Sequence, residues 1–285
     1  MITKSTATCE NGATISYQLE ADLNRLLGKN PSDYQLHPNR IKFSVNHESL
    51  KFKPVTSVDL DCNHSSKREL ECLEVEGSKP SERYHLITSV EFINNKRVFA
   101  ILSPVQIRNN LSMPLKLQFV KEENVIQIVV ESNEVAAVPF DFINKGKFTV
   151  LDVDPSVQAP LTPIVDYVST KKKYFEIPLG NKDKYYILKP LKEDQLTYLE
   201  FNAPFTIKNC CPLPMNYQIS TQDSKTLNFR LKSQESYQIT DFSRKDKVKI
   251  KAGLQGHEWS EESVIYPQGE DSTLKKVLIN GTSGG

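Results

Sequence analysis

The chain has 285 residues, more than most single domains need and comfortable for two. Hydrophobic residues make up 38% and charged residues 25%, which excludes both a disordered chain and a bundle of membrane helices, since no apolar run approaches the ~20 residues that span a bilayer. The 36 basic and 35 acidic residues leave a net charge of +1, so no basic excess points to a nucleic-acid partner.

Residues 1–20 carry Lys4, Glu10 and Glu20 and no apolar core, so no signal peptide is expected. Apolar residues at Leu19, Leu23, Leu26 and Leu27, followed by Gly28, predict one short helix over 19–28. Val, Ile, Thr, Tyr and Phe dominate elsewhere and predict strands. The five cysteines (Cys9, Cys62, Cys72, Cys210 and Cys211) are odd in number and form no CxxC pair, which points to a reducing, cytoplasmic setting. Cys62 and His64 make one weak pair of potential ligands, so no metal site and no cofactor is expected, and Asn63–Arg68 reads as an exposed polar loop. Glycine is scarce for a chain of many tight turns. Long loops over Asp61–Glu82 and Asp152–Thr162 are predicted in their place.

The chain repeats itself at an offset of 100. Ser103–Phe119 aligns with Ala203–Ile219, with Pro104, Ile107, Asn109, Pro114 and Gln118 identical to Pro204, Ile207, Asn209, Pro214 and Gln218. The same register carries Asp141-Phe142 onto Asp241-Phe242, and Lys145 and Lys147 onto Lys245 and Lys247. Nine of the fifty-four pairs from 97–150 against 197–250 are identical, where ordinary residue usage gives roughly three. Tyr17-Gln18-Leu19 suggests a partial or diverged third copy before them. The units are 1–90 (partial or diverged, with a long loop), 91–190 and 191–280, then a flexible tail over 281–285 whose Gly/Ser composition is that of a linker.

Within a unit, Ile101–Asn109 reads as a strand alternating around Pro104. Pro114–Phe119 turns Leu115, Leu117 and Phe119 inward, and the nearly continuous apolar run Val125–Val130 predicts a strand in a sandwich core. Lys147–Leu151 closes the unit, and Lys184–Leu188 and Tyr198–Ile207 open the next. Pro104 and Pro204 belong at strand starts, where a missing N–H does least harm. Asn109 and Asn209 stand in apolar strand surroundings that disfavour asparagine. Their amides have the donors and acceptor to clasp a neighbouring loop, a structural role preferred over contact with a ligand.

These repeats resemble the adaptor-binding (VAB) domain of the vacuolar protein sorting 13 family of bridge-like lipid-transfer proteins. The resemblance rests on the Pro, Ile, Asn, Pro and aromatic positions of Ala203–Ile219 and Ser103–Phe119, and on Glu258-Trp259-Ser260-Glu261, which is similar to the Trp-Ser that ends a family repeat. The first repeat has no Trp-Ser at the matching place. The resemblance covers about 90–265 and implies an all-β fold, with tandem sandwich-like modules stacked into an elongated, arched array. It also implies a module that binds short Pro-x-Pro peptides of adaptor proteins and thereby recruits a lipid-transfer protein to organelle contact sites, its membrane association being indirect. The candidate peptide-binding residues are Tyr198, Phe201, Phe205, Leu213, Met215 and Tyr217. A passive spacer or oligomerisation segment is the alternative. No GxSxG, HExxH or phosphate loop is present, so no catalytic residues are expected.

Overall fold

In the computed structural model the described residues are 40–45, 52–59, 64–70, 84–94, 96–121, 124–139, 142–143, 147–151, 165–166, 174–179, 184–222, 225–254 and 258–265. They form strands and connecting turns, with no α-helix among them. The helix expected over 19–28 and the third-copy residues Tyr17–Leu19 lie outside the described residues, as do Cys62 and the tail.

The N-terminal part holds β1 (Arg40–Phe43), β2 (Val55–Asp59), β3 (His64–Leu70), β4 (Tyr84–Ile93) and β5 (Lys96–Leu102). β1 pairs with β2, and β3, β4 and β5 form a meander. Phe52, Leu70, Tyr84 and Leu86 make a small core there. Of the polar loop expected across Asn63–Arg68, Asn63 lies outside the described residues and His64–Arg68 belong instead to β3, paired with β4 from His64↔Val90 to Leu70↔Tyr84. Its backbone bonds outweigh a composition that reads as loop.

The middle part holds β6 (Val105–Asn109), β7 (Leu115–Lys121), β8 (Asn124–Val130), β9 (Val135–Ala137), β10 (Lys147–Leu151), β11 (Val165–Asp166), β12 (Phe175–Pro178), β13 (Tyr185–Glu193) and β14 (Leu196–Asn202). They build two sheets, ordered β11-β10-β7-β8 and β12-β13-β14-β6-β9. Leu115, Leu117, Phe119 and Phe148 from the first sheet meet Ile107, Leu188, Leu199 and Phe201 from the second in one core. Phe119 lies 5.7 Å from both Phe142 and Phe148, and Phe148 lies 5.8 Å from Phe201, in tilted ring pairs.

The last part holds β15 (Phe205–Lys208), β16 (Met215–Thr221), β17 (Thr226–Leu231), β18 (Ser236–Ile239), β19 (Val248–Gly253) and β20 (Ser263–Ile265). The order β17-β16-β19-β20 faces the short pair β15-β18 across a second core of Met215, Tyr217, Ile219, Leu231, Ile239, Phe242, Val248, Ile250 and Ala252. Gln238 ties the two modules together. Its Oε1 accepts from Ser112 N at 2.7 Å and its Nε2 donates to Asn110 O at 2.7 Å. Glu176 accepts from Ser243 Oγ at 2.9 Å and from Arg244 N at 2.6 Å across the same junction.

Several expectations change in detail. The strands expected through Pro104 and Pro204 break there, so that β5 ends before Pro104 and β14 before Pro204, while β6 and β15 begin just after them. Among the described residues β8 is an edge strand and not a core strand: Val125 and Val129 are 52% and 51% exposed, and Val130 is fully buried. Tight turns do occur without glycine. Asn94 and Asp194 have φ of 49° and 51° in the two-residue loops of β4–β5 and β13–β14, a region that Asn and Asp tolerate better than most residues. The ungapped repeat register also slips. Phe119 pairs with Ile126 and Phe148, whereas Ile219 pairs with Leu227 and Ile250, so Lys147 corresponds to Lys249 and not to Lys247.

Candidate functional site

The two repeats differ most where a neighbour completes one of them. β14 runs parallel to β6, from Thr197↔Val105 to Phe201↔Asn109. Thr197 N donates to Pro104 O at 2.8 Å and Asn110 N donates to Phe201 O at 2.9 Å. In a parallel ladder, alternate residues turn both backbone groups to one neighbour. Residues 197, 199 and 201 therefore bond to β6, and residues 198 and 200 face β13. The other face of β6 serves β9, with Val138 N donating to Val105 O at 3.0 Å and Asn109 N to Glu134 O at 2.9 Å. The first core thus takes Leu188, Leu199 and Phe201 from the β13–β14 hairpin, which straddles the expected division at 190/191. The divisions at 90/91 and 190/191 fall inside β4 and β13.

β15 is the counterpart of β6 and pairs with β18 on one side, from Phe205↔Ile239 to Lys208↔Ser236. Asn209 N donates to Glu235 O at 2.9 Å, so by the same alternation Thr206 and Lys208 turn their N–H and C=O groups to the other side. The Pro204 C=O and the Cys210 N–H turn the same way. No strand among the described residues pairs with that edge. Beside it lies an apolar groove with a cavity of about 60 Å³, lined by Phe205, Thr206, Ile207, Ile219, Ile239, Val248, Ile250 and Ile265. Ile250 occupies the place of Phe148, the residue that Phe201 covers in the first module. Ile107, with β14 paired beside it, is fully buried, whereas its counterpart Ile207 is only partly buried.

The candidate residues do not converge. Phe201 is fully buried in the first core, while Met215 and Tyr217 are buried in the second, so those three are core residues. Tyr198 is half-buried beneath Arg108, whose guanidinium carbon lies 3.9 Å from the ring centroid. Leu213 is 55% exposed in the turn after β15. Phe205 alone lines the groove. Ile207, Ile239, Ile250 and the open-edge residues Thr206 and Lys208 were missed. The aligned repeat could have exposed Thr206, Ile207 and Lys208, because they match Gln106, Ile107 and Arg108, which pair with β14 in the first copy, whereas Ile239 and Ile250 lie beyond the slip in register.

Arg108 fastens β14 and β13 to β6. Its Nη1 lies 2.7 Å from Glu200 and its Nη2 lies 3.0 Å from Glu193. The hydrogen bond to Glu193 does most to raise the guanidinium's pKa, and the same bond holds the Glu193 carboxyl below its ordinary value. Lys208 stands at the equivalent place on β15.

Both asparagines are fully buried. Asn109 Nδ2 donates to Met113 O and Val130 O at 2.9 Å and to Glu131 O at 3.1 Å, and its Oδ1 accepts from Leu111 N at 3.0 Å. Asn209 Nδ2 donates to Leu213 O, Leu231 O and Lys232 O at 2.9, 3.1 and 3.0 Å, and its Oδ1 accepts from Cys211 N at 3.0 Å. Each side chain therefore pins the turn that follows its own strand to the end of the adjacent hairpin. The Trp-Ser is also built in: Ser260 N donates to Ala252 O at 2.8 Å, and Ser260 Oγ accepts from Ala252 N at 3.1 Å. Among the described residues, no cluster of His, Cys, Asp and Glu could hold a metal ion. No described helix is long and apolar enough to cross a membrane.

The fold defines a tandem β-sandwich repeat protein in which one module is closed by strands that lead into the next. The sequence model of the vacuolar-sorting associated protein 13 adaptor binding domain matches residues 32–281, and the chain belongs to that family. It is an adaptor-binding domain. No curated protein matches the chain.

Proposed function

We propose that this domain binds short Pro-x-Pro peptides of adaptor proteins by parallel strand addition to the open edge of β15, and that it acts without catalysis. The observation that carries this reading is the contrast between β6, which is covered by β14, and β15, which no described strand covers. An added strand takes up the outward backbone groups of Thr206 and Lys208, and the groove receives its inward side chains.

β14 supplies the template for the ligand. Only its residues 197, 199 and 201 need their N–H groups for β6, and Leu199 and Phe201 also send their side chains into the first core. A single strand in that pose can carry proline at the positions matching 198 and 200, where no N–H is required. The residue between two such prolines then bonds to β15 and points into the groove. Proline also lowers the entropy lost on docking, because it is already extended. Through such adaptors the parent protein reaches organelle contact sites, so its membrane association is indirect and it works from the cytoplasm.

Titration by isothermal calorimetry tests the reading. A Pro-x-Pro peptide is expected to bind near the micromolar range, as suits an interface well below ~1,600 Å². Changing both prolines to alanine abolishes binding. Thr206→Pro removes an N–H from the open edge of β15 while leaving the β18 side bonded, and it should abolish binding with a modest loss of stability. Equal affinity for the alanine peptide, or full affinity in a folded Thr206→Pro protein, refutes the proposal.

A further inference from the structure

A second edge has a different character. β8 closes the β11-β10-β7-β8 sheet and, among the described residues, pairs only with β7, in a regular register from Leu115↔Val130 to Lys121↔Asn124. Edge strands are commonly protected by charges, prolines or bulges. β8 has none of these: its sequence is Asn-Val-Ile-Gln-Ile-Val-Val, and its solvent face presents Val125, Gln127 and Val129. The corresponding strand of the second module, β17, is built differently. It reads Thr-Leu-Asn-Phe-Arg-Leu and exposes Thr226, Asn228 and Arg230.

Val125-Ile126-Gln127-Ile128-Val129 is also a palindrome. In an antiparallel pair centred on Gln127, Val125 of one copy faces Val129 of the other, Ile126 faces Ile128, and Gln127 faces Gln127. Cross-strand β-branched pairs stabilise such a ladder, and paired side-chain amides satisfy each other.

We infer that β8 is a self-association edge, where two copies of this chain pair antiparallel across a two-fold axis at Gln127. The pairing is isologous and closed, because each copy uses up its own edge. Glu123 precedes the strand and Glu131 follows it in the sequence, so the uncharged stretch available for pairing runs only between them. A contact this small makes a weak dimer, with dissociation on the order of 10–100 µM.

The test is sedimentation velocity on the full chain, whose monomer mass is 32.4 kDa, from ~1 to ~300 µM at ~0.15 M salt. The unaltered chain is expected to shift from monomer to dimer across that range. Gln127→Lys and Gln127→Glu each place like charges on the two-fold and should weaken the dimer about tenfold or more. An equimolar mixture of the two variants should recover a heterodimer, because lysine then faces glutamate. Only pairing of residue 127 with its own copy gives that rescue. Gln127 is exposed and the bond its Nε2 donates to Gln118 Oε1 is long, at 3.3 Å, so both variants should melt close to the unaltered chain. A chain that stays monomeric at ~300 µM overturns the inference. So does a dimer that survives either single variant, or a mixture that fails to associate.

Discussion

Replacing Asn109 separates a polar clasp from mere filling of space. The Asn109 amide carries two hydrogens and meets three carbonyl oxygens, so Met113, Val130 and Glu131 share them, while Oδ1 accepts from Leu111 N. Asn109→Ala leaves one buried N–H and at least two carbonyls without this partner. Each costs ~1–3 kcal/mol, reduced where water reaches the partly exposed carbonyls, so the loss should be about 3 kcal/mol. For a module of ~100 residues that lowers the melting temperature by roughly 10–20 °C. Asn109→Asp is the sharper variant, because it keeps the shape and the bond from Leu111 N. It replaces the donor with a carboxylate oxygen facing three acceptors, so near neutral pH it should cost at least as much as alanine. A protonated carboxyl can donate one bond, so the deficit of Asn109→Asp should narrow as pH falls. Thermal and urea unfolding at two pH values measure this. A neutral-pH stability for Asn109→Asp within ~0.5 kcal/mol of the unaltered chain would refute the clasp.

Phe201→Ala should destabilise the module containing Phe148, and not the one built on Ile219, by ~3–5 kcal/mol. Hydrogen exchange that loosens β7 and β10 but spares β16 and β19 would show it. Among the described residues, Thr149 Oγ1 is buried without a hydrogen-bond partner, so Thr149→Val should be neutral or stabilising by ~1 kcal/mol in a urea titration. Glu193 is held below its ordinary pKa by Arg108, so its contribution is present above the unfolded carboxylate range and is lost as pH falls through the lowered value. The stability difference between the unaltered chain and Glu193→Gln should therefore be visible near pH 7 and vanish near pH 2. A difference that persists in acid would mean the pair is not its source.

The period of the repeat was legible in the sequence, and its phase was not. Pro104 and Pro204, Asn109 and Asn209, and the alternation over Leu115–Phe119 mark equivalent places because backbone geometry demands particular residues there. The structural unit is cut differently, since Leu199 and Phe201 fall in the unit expected over 191–280 yet fill the first core beside Leu188. Alternation states that a side chain points inward, but not which core receives it. For that reason Phe201, Met215 and Tyr217 looked like candidate ligand contacts and are core residues. The edge position of β8 was hidden for a related reason, because an apolar run does not record whether a neighbouring strand covers it. β3 escaped notice because His-Ser-Ser-Lys-Arg-Glu carries little apolar signal. The groove beside β15 became visible only when the second repeat was compared with the closed first one.

The most direct measurement is amide hydrogen exchange of this chain with and without a Pro-x-Pro peptide, read residue by residue along β15. Thr206, Lys208 and Cys210 turn their N–H groups to the open edge, whereas Ile207 and Asn209 are already committed to the β18 side. Strand addition predicts new protection at Thr206, Lys208 and Cys210, with Ile207 and Asn209 unchanged. Saturating peptide that leaves those three amides exchanging as before, or that protects β8 or β17 instead, would contradict the account.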